Sequence, residues 1–308
     1  MTVIKYTDAC QINGIGRVCA IGFFDGVHLG HRALFSAAMS RARELSLPFS
    51  VFTFFSENEN IKKGNRLYST EEKIALIDSF GADEVILADF ELLRGLTPEQ
   101  FVKDLLIKKL NTVCAVTGND FRFGCGAIGR SSDLERMMSE AKREVIMVDD
   151  VELFGKKIST TEIKARLIEG DVVHANEMLG HPYRISGTVE HGNGVGSSLG
   201  FPTVNLDCGK QEILKRGVYR TESLIDGVLY PSITNVGTCP TLGERTPHAE
   251  TYILDFNKDI YGKAVTVHFL DFMREEIAFS DKNALKEQIN TDINRAKKEF
   301  SDNGRKLD

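Results

Sequence analysis

Two hydrophobic patterns divide the chain near Pro182, and this change limits the possible folds more than any other feature. Before it, short unbroken apolar runs alternate with amphipathic segments, which is typical of strands buried on both faces of a parallel sheet. The apolar runs are residues 18–24, 49–55, 85–87, 113–117 and 145–148. Capping boxes precede predicted helices at Ser69-Thr70-Glu71-Glu72 and Thr97-Pro98-Glu99-Gln100. Residues 1–182 therefore predict a Rossmann-like α/β domain with a parallel sheet.

After Pro182 the pattern changes to alternating apolar and polar residues between glycine-rich turns. Such segments occupy residues 183–191, 218–222, 228–236, 250–256 and 265–269. Several short strands at close spacing are typical of an antiparallel barrel or sandwich. A helix with a single apolar stripe is predicted over residues 283–300. The stripe consists of Leu285, Ile289, Ile293, Ala296 and Phe300. Residues 183–308 therefore predict a second, mainly β domain with a terminal helix.

The bulk composition excludes some classes of partner. The chain has 308 residues and a formal net charge of −6, whereas a nucleic-acid surface needs clustered lysine and arginine, so no nucleic-acid partner is expected. The six cysteines have no zinc-site spacing, and we expect them to be reduced thiols in a cytoplasmic protein. We find no signal peptide and no bilayer-spanning apolar run, so no membrane contact is expected. A monomer or weak homo-oligomer is expected.

The most informative segment follows the first buried strand. It reads Gly22-Phe23-Phe24-Asp25-Gly26-Val27-His28-Leu29-Gly30-His31. A strand exit that leads into a helix is where an open α/β sheet binds a ligand, and the helix N-terminus attracts phosphate. Because His28 and His31 are three residues apart, one helical turn presents both on one side. Fixed imidazole donors can stabilise the charge that adenylyl transfer builds on the α-phosphate of ATP.

We therefore predict that this segment binds ATP and that its two histidines are catalytic. The predicted ATP-binding residues are Gly22, Phe23, Asp25, Gly26 and Gly30, with His28 and His31 in the catalytic role. One alternative is half of a metal site, although no third ligand is spaced to match. The other is a pair of ordinary surface histidines. The chain contains no Walker-type G-x-x-x-x-G-K-[ST] sequence, so it is not a P-loop enzyme.

A second phosphate-binding segment is predicted further along the chain. It reads Lys157-Ile158-Ser159-Thr160-Thr161-Glu162-Ile163-Lys164. Ser159 and Glu162 have the spacing of a capping box. The hydroxyl groups, the helix N-terminus and the lysine ammonium can also bind the phosphates of ATP. The candidate ATP-binding residues here are Ser159, Thr160, Thr161 and Lys164.

Both segments resemble the nucleotidyltransferase superfamily that carries His-x-Gly-His and a later Ile-Ser-Ser-Thr-x-x-Arg. More closely, they resemble the adenylyltransferase module of bacterial bifunctional riboflavin kinase/FAD synthetases. In that family a Gly-x-Asp-Phe-x-Phe-Gly segment helps to form the flavin side. It is matched by Gly118-Asn119-Asp120-Phe121-Arg122-Phe123-Gly124. The resemblance implies adenylylation of FMN, with Asp120, Phe121 and Phe123 binding the flavin.

A glycine-rich run precedes a distinctive extended segment in the rear half. The two read Gly187-Thr188-Val189-Glu190-His191-Gly192-Asn193-Gly194-Val195-Gly196 and Leu199-Gly200-Phe201-Pro202-Thr203-Val204-Asn205. The run fits either a bare hairpin turn or a loop whose backbone N–H groups bind phosphates. Thr203 and Asn205 point the same way on an extended chain, and their oxygens suit Mg²⁺ bound to ATP. The candidate ATP-binding residues are Gly192, Gly194, Gly196, Thr203 and Asn205, the last two also as Mg²⁺ ligands.

The extended segment resembles the riboflavin-kinase signature Gly-Phe-Pro-Thr-Ala-Asn, with Val204 in place of alanine. Further matches follow at Gly217-Val218-Tyr219, Asn235-Val236-Gly237, Glu250-Thr251-Tyr252-Ile253-Leu254-Asp255-Phe256 and Asp259-Ile260-Tyr261-Gly262. The resemblance implies an antiparallel β-barrel riboflavin kinase in which Glu250 is the base for the ribityl hydroxyl. A carboxylate can accept that proton as the hydroxyl attacks the γ-phosphorus of ATP.

The chain departs from this family at several positions. Ser56-Glu57-Asn58 replaces Pro-His-Pro, and Lys164, Ser197 and Cys239 stand where the family has arginine. The sequence as a whole predicts FAD synthesis, in which riboflavin becomes FMN and FMN becomes FAD, each step using Mg²⁺ and ATP. The alternatives are a chain with one working module, a flavin-binding regulator without turnover, and a nucleotidyltransferase for another small alcohol phosphate.

Overall fold

The computed structural model describes residues 1–7, 12, 14–55, 66–190, 200–207, 213–238 and 247–302. The chain divides into two compact units, Met1–Thr160 and Thr161–Asp308. This division lies earlier in the chain than the change of hydrophobic pattern at Pro182, because two helices between these points are grouped with the second unit. The predicted domain boundary at 182/183 stays a prediction.

A six-stranded parallel sheet forms the centre of the first unit, in the strand order β1-β4-β3-β2-β5-β8. Its strands are β1 (Thr2–Tyr6), β2 (Arg17–Ile21), β3 (Phe49–Phe55), β4 (Glu84–Asp89), β5 (Thr112–Gly118) and β8 (Glu144–Val148). Two-residue strands form two small, separate antiparallel pairs. They are β6 (Arg122–Phe123), β7 (Gly129–Arg130), β9 (Glu152–Leu153) and β10 (Lys156–Lys157). The predicted parallel α/β sheet is confirmed.

Helices connect these strands, and their starts follow the signals in the sequence. They are α1 (Leu29–Leu45), α2 (Thr70–Ser79), α3 (Phe90–Leu93), a π-helix (Gln100–Lys109) and α4 (Ser131–Glu140). Ser69 and Glu72 form the predicted reciprocal capping box at α2. Thr97 and Gln100 form the second one, with bonds of 2.9 and 3.2 Å. The helix that follows has i→i+5 hydrogen bonds, including Leu110 N–H to the Leu105 carbonyl at 2.9 Å.

The second unit contains a closed antiparallel barrel, in the order β11-β12-β15-β14-β13-β16. Its strands are β11 (Tyr183–Glu190), β12 (Thr203–Asp207), β13 (Gly217–Ile225), β14 (Val228–Thr238), β15 (Pro247–Ile253) and β16 (Ala264–Arg274). Closure removes the exposed strand edges that an open sheet would leave. Of the barrel and sandwich that the alternating pattern allowed, the barrel that the family resemblance implied is therefore confirmed.

Three helices accompany the barrel: α5 (Thr160–Glu169), α6 (Val172–Leu179) and α7 (Lys282–Asp302). The predicted terminal helix is α7, and it buries Ala296 and Phe300 in a cluster with Val218, Ile233 and Met273 of the barrel. Hydroxyl groups fill part of the buried barrel and bond to one another at 2.8–3.0 Å. They belong to Thr221, Ser223, Ser232, Thr234 and Thr251.

Within the described part of the chain, no helix is long and apolar enough to cross a membrane. Cys19 and Cys114 are buried free thiols, and Cys125 is an exposed one. Cys10, Cys208 and Cys239 lie outside the described residues.

Candidate active sites

The strand order of the parallel sheet in the first unit indicates where a ligand can bind. The sheet continues from β2 through β3 towards β1 on one side, and from β2 through β5 to β8 on the other. Such a reversal opens a crevice at the carboxyl ends of the two strands where it occurs. Residues 22–28 leave the end of β2, and Asn119 and Asp120 leave the end of β5. The ATP-binding and flavin-binding segments predicted from the sequence therefore meet at one edge of the sheet.

The turn between β2 and α1 is strained. Phe24 and Val27 have φ values of 51° and 44°, in the left-handed region that side chains with a Cβ rarely adopt. A β-branched residue is least expected there, yet Val27 is buried at 1 % exposure. Gly26, at φ 90°, is the position where the turn needs a residue without a side chain. Backbone strain of this kind persists only where surrounding contacts enforce it, and it is concentrated at functional sites.

The two histidines lie together at the start of α1. His28 is the N-cap residue, and its Nδ1 accepts a 3.3 Å hydrogen bond from the His31 backbone N–H. The two rings stack at 3.5 Å between centroids, with 18° between their planes. Because Nδ1 of His28 is an acceptor, the proton of the neutral ring is on Nε2, where it can be donated to a ligand.

Burial keeps both imidazoles neutral. It lowers the pKa of His28 to about 4, with a smaller contribution from the positive charge of Lys157. It also lowers the pKa of His31 well below the usual range, and the positive charge of Lys73 acts in the same direction. Nδ1 of His31 has no hydrogen-bond partner within the described residues. Two neutral N–H donors beside a helix N-terminus form a site that suits an anion.

Asp25 and Phe23 have different surroundings in the turn. The Asp25 carboxylate accepts a 2.9 Å hydrogen bond from the Leu67 backbone N–H, and its carbonyl accepts one of 3.1 Å from the Thr160 hydroxyl. Asp25 therefore links the turn to two neighbouring segments. Phe23 is 57 % exposed and packs its ring 4.8 Å from that of Phe54. An exposed aromatic face at this edge of the sheet can stack on a planar ligand.

The segment after β5 combines charge with stacked aromatic rings. Asp120 pairs with Lys157 at 2.5 Å, and Lys157 also pairs with Asp150 at 2.8 Å. Phe121 is half-buried and stacks on Phe123 at 5.7 Å between ring centroids. Phe123 is only 4 % exposed and belongs to the core, so it lies beneath Phe121 and has little surface of its own for a ligand.

The second phosphate-binding segment lies where β10 leads into α5. Ser159 directly precedes this helix and Thr160 is its first residue. Thr161 and Lys164 lie in the first turns of α5, with Thr161 exposed and Lys164 half-buried. The hydroxyl groups therefore stand at a helix N-terminus, as the sequence predicts.

In the second unit, the predicted kinase residues lie on adjacent strands. Asn205 of β12 is opposite Glu250 of β15, and Glu250 is opposite Asn235 of β14. Thr203 is opposite Tyr252, two positions along the same pair of strands. Cross-strand neighbours have Cβ atoms about 4.5–5.5 Å apart, so a carboxylate, an amide and a hydroxyl gather in one small area. Gly192, Gly194 and Gly196 lie outside the described residues.

Thr203 lines two cavities. One has a volume of about 310 Å³, and its polar lining residues include Thr203, Asn235 and Glu250. Its apolar walls come from barrel strands, from the segments next to β12 and after β16, and from α7. They are Phe201, Val218, Ile233, Tyr252, Ile277, Phe279, Leu285, Ile289 and Ile293. The other has a volume of about 380 Å³ and is lined by Thr203 together with residues of β11, β15 and the segment 256–261. Thr203 therefore stands between an apolar slot and a second cavity, with Glu250 on the slot side.

An ion pair attaches α7 to the rim of the slot. The Arg274 guanidinium donates to both carboxylate oxygens of Asp292, at 2.7–3.1 Å. Gln288 donates to the same carboxylate at 2.9 Å. Glu276 lies so close to Gly237 that a Cβ at position 237 would clash with its carboxylate. The sequence-based candidates include neither Arg274 nor Asp292, because neither lies in a motif recognised from the residues.

Comparisons with known proteins cover both units. The FAD synthetase family model matches residues 11–162, and the riboflavin kinase model matches residues 179–300. The bifunctional riboflavin kinase/FMN adenylyltransferase of Pseudomonas fluorescens is 33% identical over 287 residues, which is 92% of each chain. The enzyme of that name from Escherichia coli (strain K12) is 34% identical over 291 residues, covering 92% of this chain and 93% of the relative. The chain belongs to the bifunctional riboflavin kinase/FMN adenylyltransferase family.

A solved structure supports the fold over nearly the whole chain. It is described as a macrolide-efflux protein from Streptococcus pneumoniae, and it is 30% identical with a TM-score of 0.86. The match covers 96% of this chain and 99% of that chain. The family and the two-part fold expected from the sequence are thus confirmed, and the roles of the individual residues stay predictions.

The principal residue that sequence reasoning missed in the first unit is Lys73. It lies on α2 and is 7 % exposed. Its only signal in the sequence is its place just after the capping box at Ser69, where the helix was expected to be amphipathic.

Proposed function

We propose that this bifunctional family member phosphorylates riboflavin to FMN in its barrel and adenylylates FMN to FAD in its α/β domain. The observation that carries adenylyl transfer is the neutral pair His28 and His31 at the switch point of a parallel sheet. The observation that carries the kinase reaction is Glu250 in an apolar slot beside Thr203. The slot, at about 310 Å³, is of the size that small-molecule ligands require, and it combines apolar walls with a few polar groups.

In the adenylyl-transfer step, a phosphate oxygen of FMN attacks the α-phosphorus of ATP, and the bond to the bridging oxygen breaks to release pyrophosphate. His28 donates from Nε2 to the charge that develops on the α-phosphate oxygens, and His31 presents its stacked ring to the same region. The N-terminus of α1, with Ser159 and Thr160, holds the remaining phosphates. Thr161 and Lys164 stay predicted ATP-binding residues. Gly22, Phe23, Asp25, Gly26 and Gly30 shape the turn that receives ATP.

The flavin of this step lies against the segment that leaves β5. Phe121 offers its half-buried ring for stacking, Phe123 supports that ring from below, and Asp120 can accept a hydrogen bond at the rim. Phe23, on the neighbouring strand exit, supplies a second exposed ring.

In the kinase step, the apolar slot takes the isoalloxazine ring, which brings the ribityl chain towards Glu250. Glu250 accepts the proton of the terminal hydroxyl, whose oxygen attacks the γ-phosphorus of ATP while ADP leaves. The nucleotide occupies the second cavity. Gly192, Gly194 and Gly196 lie outside the described residues and stay predicted phosphate-binding residues. Thr203, which lines both cavities, stands where the two substrates meet.

A magnesium ion fits the donors present in the kinase site. The Thr203 hydroxyl and the Asn205 amide oxygen are hard oxygen ligands on one side of β12, and Glu250 adds negative charge nearby. These two side chains would hold the ion, which neutralises phosphate charge when it is bound with ATP. A cytoplasmic location, the absence of nucleic-acid partners, and a monomer or weak homo-oligomer are further expectations of this proposal.

Labelled ATP tests both reactions separately. With γ-³²P-labelled ATP and riboflavin, the label should appear in FMN; with α-³²P-labelled ATP and FMN, it should appear in FAD. In the first reaction the γ label should also pass from FMN into FAD, because the labelled FMN is the substrate of the second step. Label from the γ position in FAD made from unlabelled FMN without riboflavin, or no labelled flavin in either reaction, would contradict the proposal.

A further inference from the structure

A lysine is buried beneath the strained turn of the first site. Lys73 lies on α2, and its ammonium donates to the Phe54 carbonyl at 2.7 Å, the Thr53 hydroxyl at 3.2 Å and the Phe23 carbonyl at 3.3 Å. The Thr53 hydroxyl itself donates to the Phe23 carbonyl at 2.9 Å. One ammonium thus connects the end of β3 to the first residues after β2.

The partners of this ammonium are neutral. No carboxylate of the described residues lies within ion-pair distance of Lys73, although Asp25 is near enough to favour its charge. Burial is the main cause that lowers its pKa to about 8, and the charge of Arg66 adds to it. Removing an ammonium from water is costly, and an apolar side chain of similar length would avoid that cost. A charge kept in such a place points to a use beyond packing.

Lys73 lies where it can stabilise the β2–α1 turn, because it donates to the Phe23 carbonyl. The carbonyl of Phe23 comes directly before Phe24, the first residue of the turn with a left-handed backbone conformation, and Val27 is the other such non-glycine residue there. Fixing this carbonyl helps to hold the turn that leads to His28 and His31. The charge of Lys73 also acts on His31, whose proton affinity it reduces. A positive charge that reaches the histidine pair also reaches an anion bound there.

We infer that Lys73 is a positioning residue for adenylyl transfer, which holds the β2–α1 turn in its productive form and adds positive charge beneath the phosphates of ATP. The inference rests on the proposed function of the first site. It assigns to α2 a role in the reaction that neither the histidine motif nor the segment 157–164 supplies.

The test compares Lys73→Met with Lys108→Met in the full-length protein. Methionine keeps the length and the apolar packing of the lysine stem but removes the charge and all three hydrogen bonds. Lys108 is a suitable control, because its side chain is 72% exposed and pairs only with Asp104 on the same helix. The kinase activity of the same molecules reports the amount of active barrel, and the KM for FMN reports whether the α/β domain is folded.

For Lys73→Met we expect kcat for FAD formation from FMN to fall by roughly tenfold to a hundredfold, since small misplacements of catalytic groups have effects of this size. The KM for ATP should rise, while the KM for FMN, the kinase activity and all constants of Lys108→Met should stay within about twofold of wild type. Unchanged kcat and unchanged KM for ATP in Lys73→Met would overturn the inference.

Thr53→Val supplies a second route if Lys73→Met does not fold. Valine is isosteric and removes one of the three acceptors of Lys73 as well as the direct bond to Phe23. If kcat of Thr53→Val for FAD formation falls, by less than in Lys73→Met, and its kinase activity is unchanged, the inference is supported. If kcat of Thr53→Val is unchanged for both reactions, the inference is refuted. If the wild-type protein forms no FAD from FMN, the proposed function fails instead, so the two failures are distinguishable.

Discussion

Two histidines at the start of α1 owe their chemistry to burial. In water an imidazole is partly charged near neutral pH. His28 is only 5 % exposed, and burial lowers its pKa to about 4, so its ring is neutral at neutral pH. A neutral ring can donate a hydrogen bond to a phosphate oxygen without the cost of a buried positive charge. The stacking of His31 on His28 fixes the direction of both rings before ATP binds.

Replacement of either histidine should therefore impair one activity alone. For His28→Ala or His31→Ala we expect kcat for FAD formation to fall by about 10²–10³-fold, the loss that follows removal of one transition-state donor. FMN formation from riboflavin should be unchanged, because the kinase residues belong to another unit. Flavin chromatography after incubation with ATP measures both rates, and normal FAD formation in both variants would exclude the assignment.

The lowered pKa of His28 also predicts a pH dependence of stability. In the unfolded chain the ring titrates near its ordinary value of 6.5, whereas in the folded chain it titrates at about 4. Below pH 6.5 the unfolded state therefore binds more protons, and stability falls as the pH is lowered from 6.5 towards 4. Above 6.5 this contribution is fully present.

His28→Asn separates titration from capping, because asparagine is also a good N-cap residue. We expect the thermal midpoint of the variant to fall less than that of wild type when the pH is lowered from about 7 to about 4. Because the pKa of His31 is also lowered, we expect part of the acid dependence of the midpoint to remain in the variant. Differential scanning calorimetry measures the midpoints, and an identical acid dependence of the two proteins would show that His28 does not contribute.

Glu250 should have the opposite selectivity. Glu250→Gln keeps the size of the side chain but removes the proton acceptor, so kcat for FMN formation should fall by about 10²–10⁴-fold. FAD formation from added FMN should remain within about twofold of wild type. Normal FMN formation in the variant would exclude Glu250 as the base.

The sequence identified some of these residues and missed others for physical reasons. His28 and Glu250 lie in motifs whose residue types have a direct chemical meaning. Lys73 does not, because a lysine on an amphipathic helix is ordinarily solvated, and only the fold shows that this one turns inward to backbone carbonyls. Phe123 matches a flavin motif, but its burial became visible only in the structure.

At the scale of single elements, the sequence predicts a helix start correctly where residues close together in the chain form the cap. The capping boxes at Ser69 and Thr97 form as written, since each is completed by residues three apart. The π-helical hydrogen bonding of Gln100–Lys109 had no such signal, because it depends on how that helix packs. The edge strand β1 was also missed, since it lacks the long apolar run of a central strand.

The attachment of α7 to the barrel makes a further prediction. Asp292 is 7 % exposed and accepts three hydrogen bonds from Arg274, so Asp292→Leu alone leaves the Arg274 charge without its partner. We expect each of Asp292→Leu and Arg274→Met to destabilise the barrel by about 3–5 kcal/mol. The double variant should lose clearly less than the sum of the two, because it buries no unpaired charge.

Urea unfolding of the four proteins in this cycle, followed by loss of kinase activity, measures the coupling. FAD formation from FMN serves as the control, and it should persist at urea concentrations that abolish kinase activity in the single variants. Additive losses would show that the ion pair does not attach α7 to the barrel.

At the scale of the whole molecule, the change of hydrophobic period predicts the two architectures correctly. Buried parallel strands and half-buried antiparallel strands differ in pattern because they differ in the number of faces that they bury. The limits of the compact units were harder to place. Helices α5 and α6 are amphipathic like those of the first unit, and their grouping depends on tertiary contacts that the pattern does not contain.

The most direct test of two linked activities in one chain is a time course with riboflavin as the only added flavin. The purified protein is incubated with Mg²⁺ and ATP, and the flavins are separated by chromatography, with oxidised and reduced riboflavin in parallel. The account predicts that FMN appears first and that FAD accumulates from it. Absence of both FMN and FAD in every sample would contradict it, and would show a protein that keeps both folds without turnover.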